Sequence, residues 1–541
     1  MHAILAARRY PDARERFRWD ALWDLFDGDR ERLNLAHECV DRHAGDATAL
    51  RIALADGRRA EHTFRELTEW SSRVARFLER HGIGRGDRVG LMLEPSLPLY
   101  AALFGTLKRG AVAVPLFTLF GPEGLALRVN DCRPRLLLVD RDAERWQREF
   151  PALRVLAFDE AALATLSTER SDYAPSTAAD DVAVLQYTSG TTRGLPAAIR
   201  HTHRSVVTLM VAALYGVGLE RGDRYFCPSS PAWGHGLWHG TIAPLALGIA
   251  AGSYAGRFDA RRLLEALHAF EVTNVAAAPT VFRLVRRSGL VRNHGGPRNG
   301  PPNPPTLAHA PGDPGRGSTI GRVHGPPLRL RKLSFTGEPM DSGTWDFIEH
   351  DLRVTPCGMY GSTEVGVIIA NYPGFEGYEV RRGALGTAAP GWEVGVVDER
   401  GQPVPPRVMG EIAVRRKGAW FLVKDRGFVD EDGYFHHGGR SDDVIISAGW
   451  TMSAVEIEDV LMAHPDVREA AVVGVADALR GQVAKAFVVA GRRGDAFEHE
   501  LQDWVRMRLS LHEYPRRIEV VDGLPKTPAG KIDRKALREL D

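Results

Sequence analysis

Short apolar runs punctuate the chain, separated by amphipathic stretches. VGLML (89–93), VAVPLF (112–117), LLLVD (136–140), VAVLQY (182–187), NVAAAPT (274–280) and VGVIIA (365–370) have the length of buried strands. Residues 63–82, TFRELTEWSSRVARFLERHG, place apolar side chains at helical spacing and stop at Gly82. Strands alternating with helices predict an α/β protein with largely parallel sheets. Past a turn-rich stretch, DEDGYFHHGG (430–439), a new pattern starts. It runs VIISAG, a helix from about Ala454 to His464, the strands EAAVVGV and KAFVVAG, a helix near 496–510, then IEVVDG. The pattern predicts a large domain over residues 1–439 and a small α+β domain over residues 440–541, an ordinary domain size.

Two segments break the pattern. Of the 35 residues 293–327, 17 are Gly or Pro and almost none is a large apolar residue. Such a stretch buries too little surface to offset its ordering entropy, and it is expected to be a disordered surface insertion. Tyr225 to Gly256 is the longest uncharged stretch, long enough for a membrane span, but it holds Pro228, Pro231, Pro244, many glycines and two histidines. It is expected to be a buried strand-and-loop segment lining a pocket, with no membrane span.

Composition narrows the function classes. With 44% apolar residues the 541-residue chain has ample material for a core. A net charge of +1 argues against nucleic acid as the main partner. Cys39, Cys132, Cys227 and Cys357 are too dispersed for a disulfide framework or a zinc ribbon, which fits a reducing, cytoplasmic setting. MHAILAARRY at the start lacks the order of a signal peptide. Only 8 of the 70 basic residues are Lys. A Lys that persists in so Arg-biased a chain is expected to need a compact ammonium, and three of the eight, Lys526, Lys531 and Lys535, lie in the last sixteen residues.

Candidate chemistry begins at TSGTTRGLPAAIRHTH (188–203), directly after an apolar run. A loop of Ser, Gly and Thr after a strand offers N–H groups and hydroxyls that wrap a phosphate chain. The Walker spacing is absent, and on spacing alone a plain turn is an equal reading. Further along stand TGEP (336–339), YGSTE (360–364), WFLVKDRGFVDEDGYF (420–435), GRSDDVIISAGW (439–450) and PKTPAGKIDR (525–534). Together and in this order, these segments resemble the AMP-forming adenylating superfamily of acyl-CoA synthetases, luciferases and peptide-synthetase adenylation domains. The resemblance runs from about residue 35 to the end.

The resemblance implies an adenylate-forming fold: a large N-terminal domain of mixed sheets flanked by helices, and a small mobile α+β lid. It implies a ligase that activates a carboxylic acid with ATP and Mg²⁺ and transfers the acyl group to coenzyme A. Thr188, Ser189, Gly190, Thr191, Thr192 and Arg193 would form the phosphate loop. Gly337, Glu338 and Pro339 would flank adenine, with Tyr360 stacked on it and Gly361 and Ser362 beside it. Thr363 would bond the α-phosphate and Glu364 would hold Mg²⁺. Asp425 would accept from both ribose hydroxyls, with Arg440 reaching ribose or phosphate. Lys531 would be the catalytic lysine, Asp442 the hinge, and Gly449 and Trp450 the coenzyme A side.

PSSPAWGHGLWHGTIAPLALG (228–248) resembles the acid-binding stretch of medium-chain and benzoate-type acyl-CoA synthetases, which makes Trp233, His235 and Gly236 acyl-pocket candidates. Several positions depart from the family pattern. Arg193 looks like an insertion, Ala197 stands for a lysine, Val423 and Lys424 replace Thr-Gly, Thr451 replaces Arg, and Ala454 replaces a common Pro. Arg193 is expected to supply the charge lost at Ala197. Two alternatives are a stand-alone enzyme loading a carrier-protein phosphopantetheine and a degenerate nucleotide-binding protein without turnover.

Overall fold

A computed structural model describes residues 3–187, 198–291, 328–362, 365–440, 444–447, 450–477, 481–509, 514–527 and 531–540. The apolar runs form strands: Arg88–Met92, Val112–Pro115, Leu136–Val139, Val182–Tyr187, Asn274–Ala277 and Gly366–Ala370. The first four join a six-stranded sheet, parallel except at its last strand, Ala198–Thr202, which runs antiparallel to Val182–Tyr187. The insertion 293–327 lies outside the described residues.

The amphipathic segment becomes the helix Phe64–Arg80. Thr63 and Glu66 close a capping box at its start, and Gly82 follows its end at φ +73°. Its buried face, Phe64, Leu67, Val74 and Leu78, packs against the helix Leu97–Lys108. Gly105 makes this approach possible, because a Cβ there would lie 2.7 Å from Val74. From Pro98 to Lys108 every residue of the second helix is buried.

A ten-stranded sheet carries the other half of the large unit. Its parallel strands Tyr225–Phe226, Asn274–Ala277, Lys332–Phe335 and Pro356–Ser362 give way to antiparallel strands Gly366–Ala370, Ala384–Ala388, Phe435–Arg440, Ala419–Val429, Gly410–Arg416 and Val394–Val397. A separate five-stranded sheet is built from Val444–Ser447, Trp450–Ser453, Val467–Asp477, Gly481–Ala490 and Arg517–Val521. Helices Ala454–Met462 and Asp495–Arg508 pack on it around Ile457, Leu461, Leu501 and Val505.

The segment 225–256 differs from the expected strand-and-loop. After strand Tyr225–Phe226 residues 227–233 form the expected loop, but then come a π-helix His235–Ile242 and the helix Ala243–Ala246 before strand Ala251–Tyr254. Pro244 explains the wide turn. It has no N–H to give to a carbonyl in the preceding turn, and the Tyr225 hydroxyl donates to the His239 carbonyl instead (2.9 Å). Gly236 is required by packing: a Cβ there would lie 2.1 Å from the Ser230 carbonyl oxygen. Among the described residues no helix is long and apolar enough to cross a membrane.

Scarce lysines hold parts of this frame together. Lys108 is fully buried and its ammonium meets Asp41 (2.6 Å), the Ser72 hydroxyl (2.8 Å) and the Thr68 carbonyl (3.0 Å). Lys332 is buried too, donating to Asp223 (2.8 Å), Glu220 (2.7 Å) and the Gly218 carbonyl (2.8 Å). Both sites suit a compact point charge rather than a planar fork. Lys108→Ala leaves the Asp41 carboxylate facing a dry interior without its counter-charge, which costs about 3–5 kcal/mol. A lowered urea midpoint for Lys108→Ala, and a smaller loss for Lys108→Arg, are the expected results. A midpoint equal to wild type for Lys108→Ala contradicts this account.

Candidate functional site

Strand Pro356–Ser362 ends in YGS, and strand Ala419–Val429 carries Asp425. The two strands are four places apart in the ten-stranded sheet, yet the sheet curls until the Tyr360 hydroxyl donates to Asp425 Oδ2 at 2.5 Å. His437 closes the third side, with Nε2 3.9 Å from the other Asp425 oxygen and its ring 6.3 Å from that of Tyr360. Asp425 pairs in backbone register with Arg440. An aromatic ring, a carboxylate and an imidazole therefore lie together, each half-buried. A ribose diol and an adenine face suit such a floor, because the carboxylate is an acceptor and the ring a stacking platform. His437 had no motif to announce it.

The loop 336–339 is pinned to the neighbouring helix Pro279–Ser288. The Glu338 carboxylate accepts from the Thr280 backbone N–H (2.6 Å) and from the Thr280 hydroxyl, at a helix start that has no side-chain cap of its own. Arg283 and Arg286 bind Asp341 from the same helix, at 3.0 and 3.2 Å. Glu338 thus acts as a cap that positions Gly337 and Pro339, both exposed. Gly337 has φ +97°, and a Cβ on it would lie 3.5 Å from the Trp233 ring. Here the loop 336–339 comes close to the stretch that carries Trp233. Gly361 allows strand crossing, since its Cβ would overlap the Gly366 carbonyl. Ser362 pairs with Gly366.

Trp233 leads to His235, with ring centroids 5.7 Å apart, and His235 to His239 at 5.6 Å. His235 is buried and its Nδ1 lies 2.9 Å from the Ser229 hydroxyl. Burial, with His239 adding to it, pushes the His235 imidazole down to about 3, so it is neutral at ordinary pH. Gln186 and His201, from paired strands of the six-stranded sheet, reach the same helix: Trp238 donates its indole N–H to Gln186 (2.7 Å) and lies 4.6 Å from the His201 ring. Neither residue carried a sequence signal, because strand alternation does not tell which interior polar side chain meets a site.

Other candidates are placed less fully. Lys531 is exposed; the Thr527 N–H donates to its carbonyl (2.7 Å), and Lys526 bridges to Ile532. Trp450 begins the strand Trp450–Ser453. Thr188, Ser189, Gly190, Thr191, Thr192, Arg193, Thr363, Glu364, Asp442 and Gly449 lie outside the described residues, as does Ala197.

The departure at Lys424 has a structural consequence. This residue sits at φ +65°, in the left-handed region, one position before Asp425. The family pattern has Gly there, the residue that reaches this region freely, whereas a side chain costs about 1–2 kcal/mol. Lys424→Gly is expected to raise stability by about 0.5–1 kcal/mol after the extra entropy of a glycine is counted. A thermal melt checks it, and an unchanged or lowered melting temperature contradicts the reading.

The AMP-binding enzyme family model matches residues 37–420, and that of the AMP-binding enzyme C-terminal domain matches 456–531. An acetyl-coenzyme A synthetase of Bacillus subtilis is 28% identical, with 98% of this chain and 95% of the relative covered. A 4-hydroxybenzoate–CoA/benzoate–CoA ligase of Rhodopseudomonas palustris is 29% identical, with 94% of each covered. Among solved structures, an anthranilate CoA ligase in complex with anthranoyl-AMP superposes with a TM-score of 0.80 at 26% identity, covering 95% of this chain and 98% of the other. An acyl-CoA synthetase of Brucella canis gives 0.72 at 29%, covering 98% of both. The chain belongs to the AMP-binding enzyme family, with the large unit and the C-terminal domain of that family both present.

Proposed function

We propose that this AMP-forming acid–CoA ligase activates a short- or medium-chain fatty acid or an aryl acid. Its similarity to relatives named for acetate, 4-hydroxybutyrate and benzoates supports that range. The observation that carries the reading is the Tyr360–Asp425 pair, set on the same curled sheet as the strand that leads into the loop 336–339, where a Cβ on Gly337 would lie 3.5 Å from the Trp233 ring. A nucleotide on that floor would direct its α-phosphate toward the acyl side.

In the first step a carboxylate oxygen attacks the α-phosphorus and pyrophosphate leaves. In the second a thiol attacks the acyl carbonyl and AMP leaves. Charge gathers around phosphorus in the first step, so positioned donors and cations dominate catalysis. Thr363 and the loop 188–193 would donate to phosphate oxygens, with Arg193 replacing the charge absent at Ala197. Glu364 would offer a hard oxygen donor suited to Mg²⁺, which shields phosphate charge when bound. Division of the chain at 439/440, a hinge at Asp442 and approach of the thiol past Gly449 and Trp450 belong to the same proposal. Free coenzyme A is the proposed acceptor; a carrier-protein phosphopantetheine presents the same thiol, and an assay with coenzyme A alone separates them.

Lys531 is proposed to meet the first step only. Lys531→Ala should slow acyl-adenylate formation, followed by pyrophosphate exchange, by roughly a hundred- to a thousandfold, the scale of one lost transition-state contact. Thioester formation from supplied acyl-AMP should persist. Equal loss in both half-reactions would remove Lys531 from its assigned role.

A further inference from the structure

We propose that the acid this protein activates carries, besides its carboxylate, a neutral hydrogen-bonding substituent (a hydroxyl, amino or carbonyl group) that is read by Gln186, His201 and His239. The inference rests on the acid–CoA ligase reading and names the class of acid within it.

The wall behind Trp233 is polar in an unusual way. Gln186 Nε2, His201 Nε2, His235 Nε2 and His239 Nδ1 are all buried and have no hydrogen-bond partner among the described residues. Buried polar atoms are nearly always paired, and leaving one unpaired is costly. Here four such atoms sit on one contiguous cluster: His235 and His239 one turn apart on the π-helix, and Gln186 and His201 on the two strands that flank Trp238. Gln186 and His235 are themselves more than nine-tenths buried.

The cluster is built to hold its orientation. The indole of Trp238 only donates, so its bond fixes Gln186 Oε1 as acceptor and leaves the Nε2 donor directed elsewhere. The Tyr225 hydroxyl secures the carbonyl of His239. His239, His201, Trp233 and Gly234 keep part of their surface accessible. At Gly234 a Cβ would lie 3.5 Å from Gln186 Oε1, which places the glutamine beside the residue that follows Trp233.

The charge state selects the ligand. Burial pushes the His239 and His201 imidazoles down to about 4, so both are neutral donor–acceptor pairs at ordinary pH. Among the described residues the cluster contains no Lys or Arg, and so nothing there to balance a second carboxylate. A plain alkyl chain would leave all four polar atoms unpaired. A neutral polar substituent on a compact acid satisfies both conditions.

The test uses the full-length enzyme and matched acids: benzoate against its hydroxy and amino derivatives, and hexanoate against a hydroxyhexanoate and a dicarboxylate. Acid-dependent pyrophosphate exchange gives kcat and KM for each. At least one neutral, polar-substituted acid should exceed its unsubstituted partner by about tenfold or more in kcat/KM. In His239→Phe and in Gln186→Met that ratio should collapse, mainly through KM for the substituted acid. Either variant alone suffices should the other fail to fold, and the wild-type ratios stand without them. Preference for the unsubstituted acids or the dicarboxylate overturns the inference while leaving the ligase intact. A preference that survives both variants overturns the assignment to these residues. Exchange with no acid at all would instead overturn the ligase reading beneath it.

Discussion

The ten-stranded sheet has to curl, and the hydrogen bond between Tyr360 and Asp425 marks where it does. Two strands four places apart would lie far from each other in a flat sheet; here their side chains meet at 2.5 Å. Right-handed twist and the register shifts at Tyr360/Gly361 and Arg426/Gly427 supply the curvature. The rest of the candidate site is arranged around this contact. His437 closes its side, and the Glu338–Thr280 cap sets the loop whose Gly337 faces the Trp233 ring without a side chain between them. The proposed acyl wall continues from Trp233 along the π-helix.

Part of this was legible before any coordinates. Runs such as LLLVD and VAVLQY read as buried strands because they are short, rich in Leu and Val, and flanked by polar residues, whereas a buried helix runs longer, as Leu97–Lys108 does. The helix 64–80 was marked by its spacing and by Gly82 after its end. The six ordered motifs carried the family, and Tyr360 and Asp425 came from them. Which atoms meet was not legible, since it depends on the curl of a sheet whose strands are separated by long stretches of chain.

The misses have physical reasons. Prolines and glycines in 225–256 argued against a helix, but Pro228 and Pro231 precede it and Pro244 is accommodated by a π-turn with Tyr225 standing in for the lost N–H. Gln186 and His201 read as ordinary strand residues. Lysine scarcity pointed to function, yet Lys108 and Lys332 owe their place to buried acids. A compact ammonium was indeed needed, though for structure as well as for any chemistry at Lys531.

On the proposed reading, a carboxylate attacks the α-phosphate of a nucleotide held at Tyr360 and Asp425. An acid labelled with oxygen-18 in its carboxylate tests it most directly, by mass analysis of the nucleotide released after turnover with ATP and coenzyme A. The account predicts one labelled oxygen in AMP and none in pyrophosphate, because the oxygen that forms the acyl-phosphate bond stays with AMP when the thiol takes the acyl group. Label in inorganic phosphate with release of ADP, or unlabelled AMP, would contradict it.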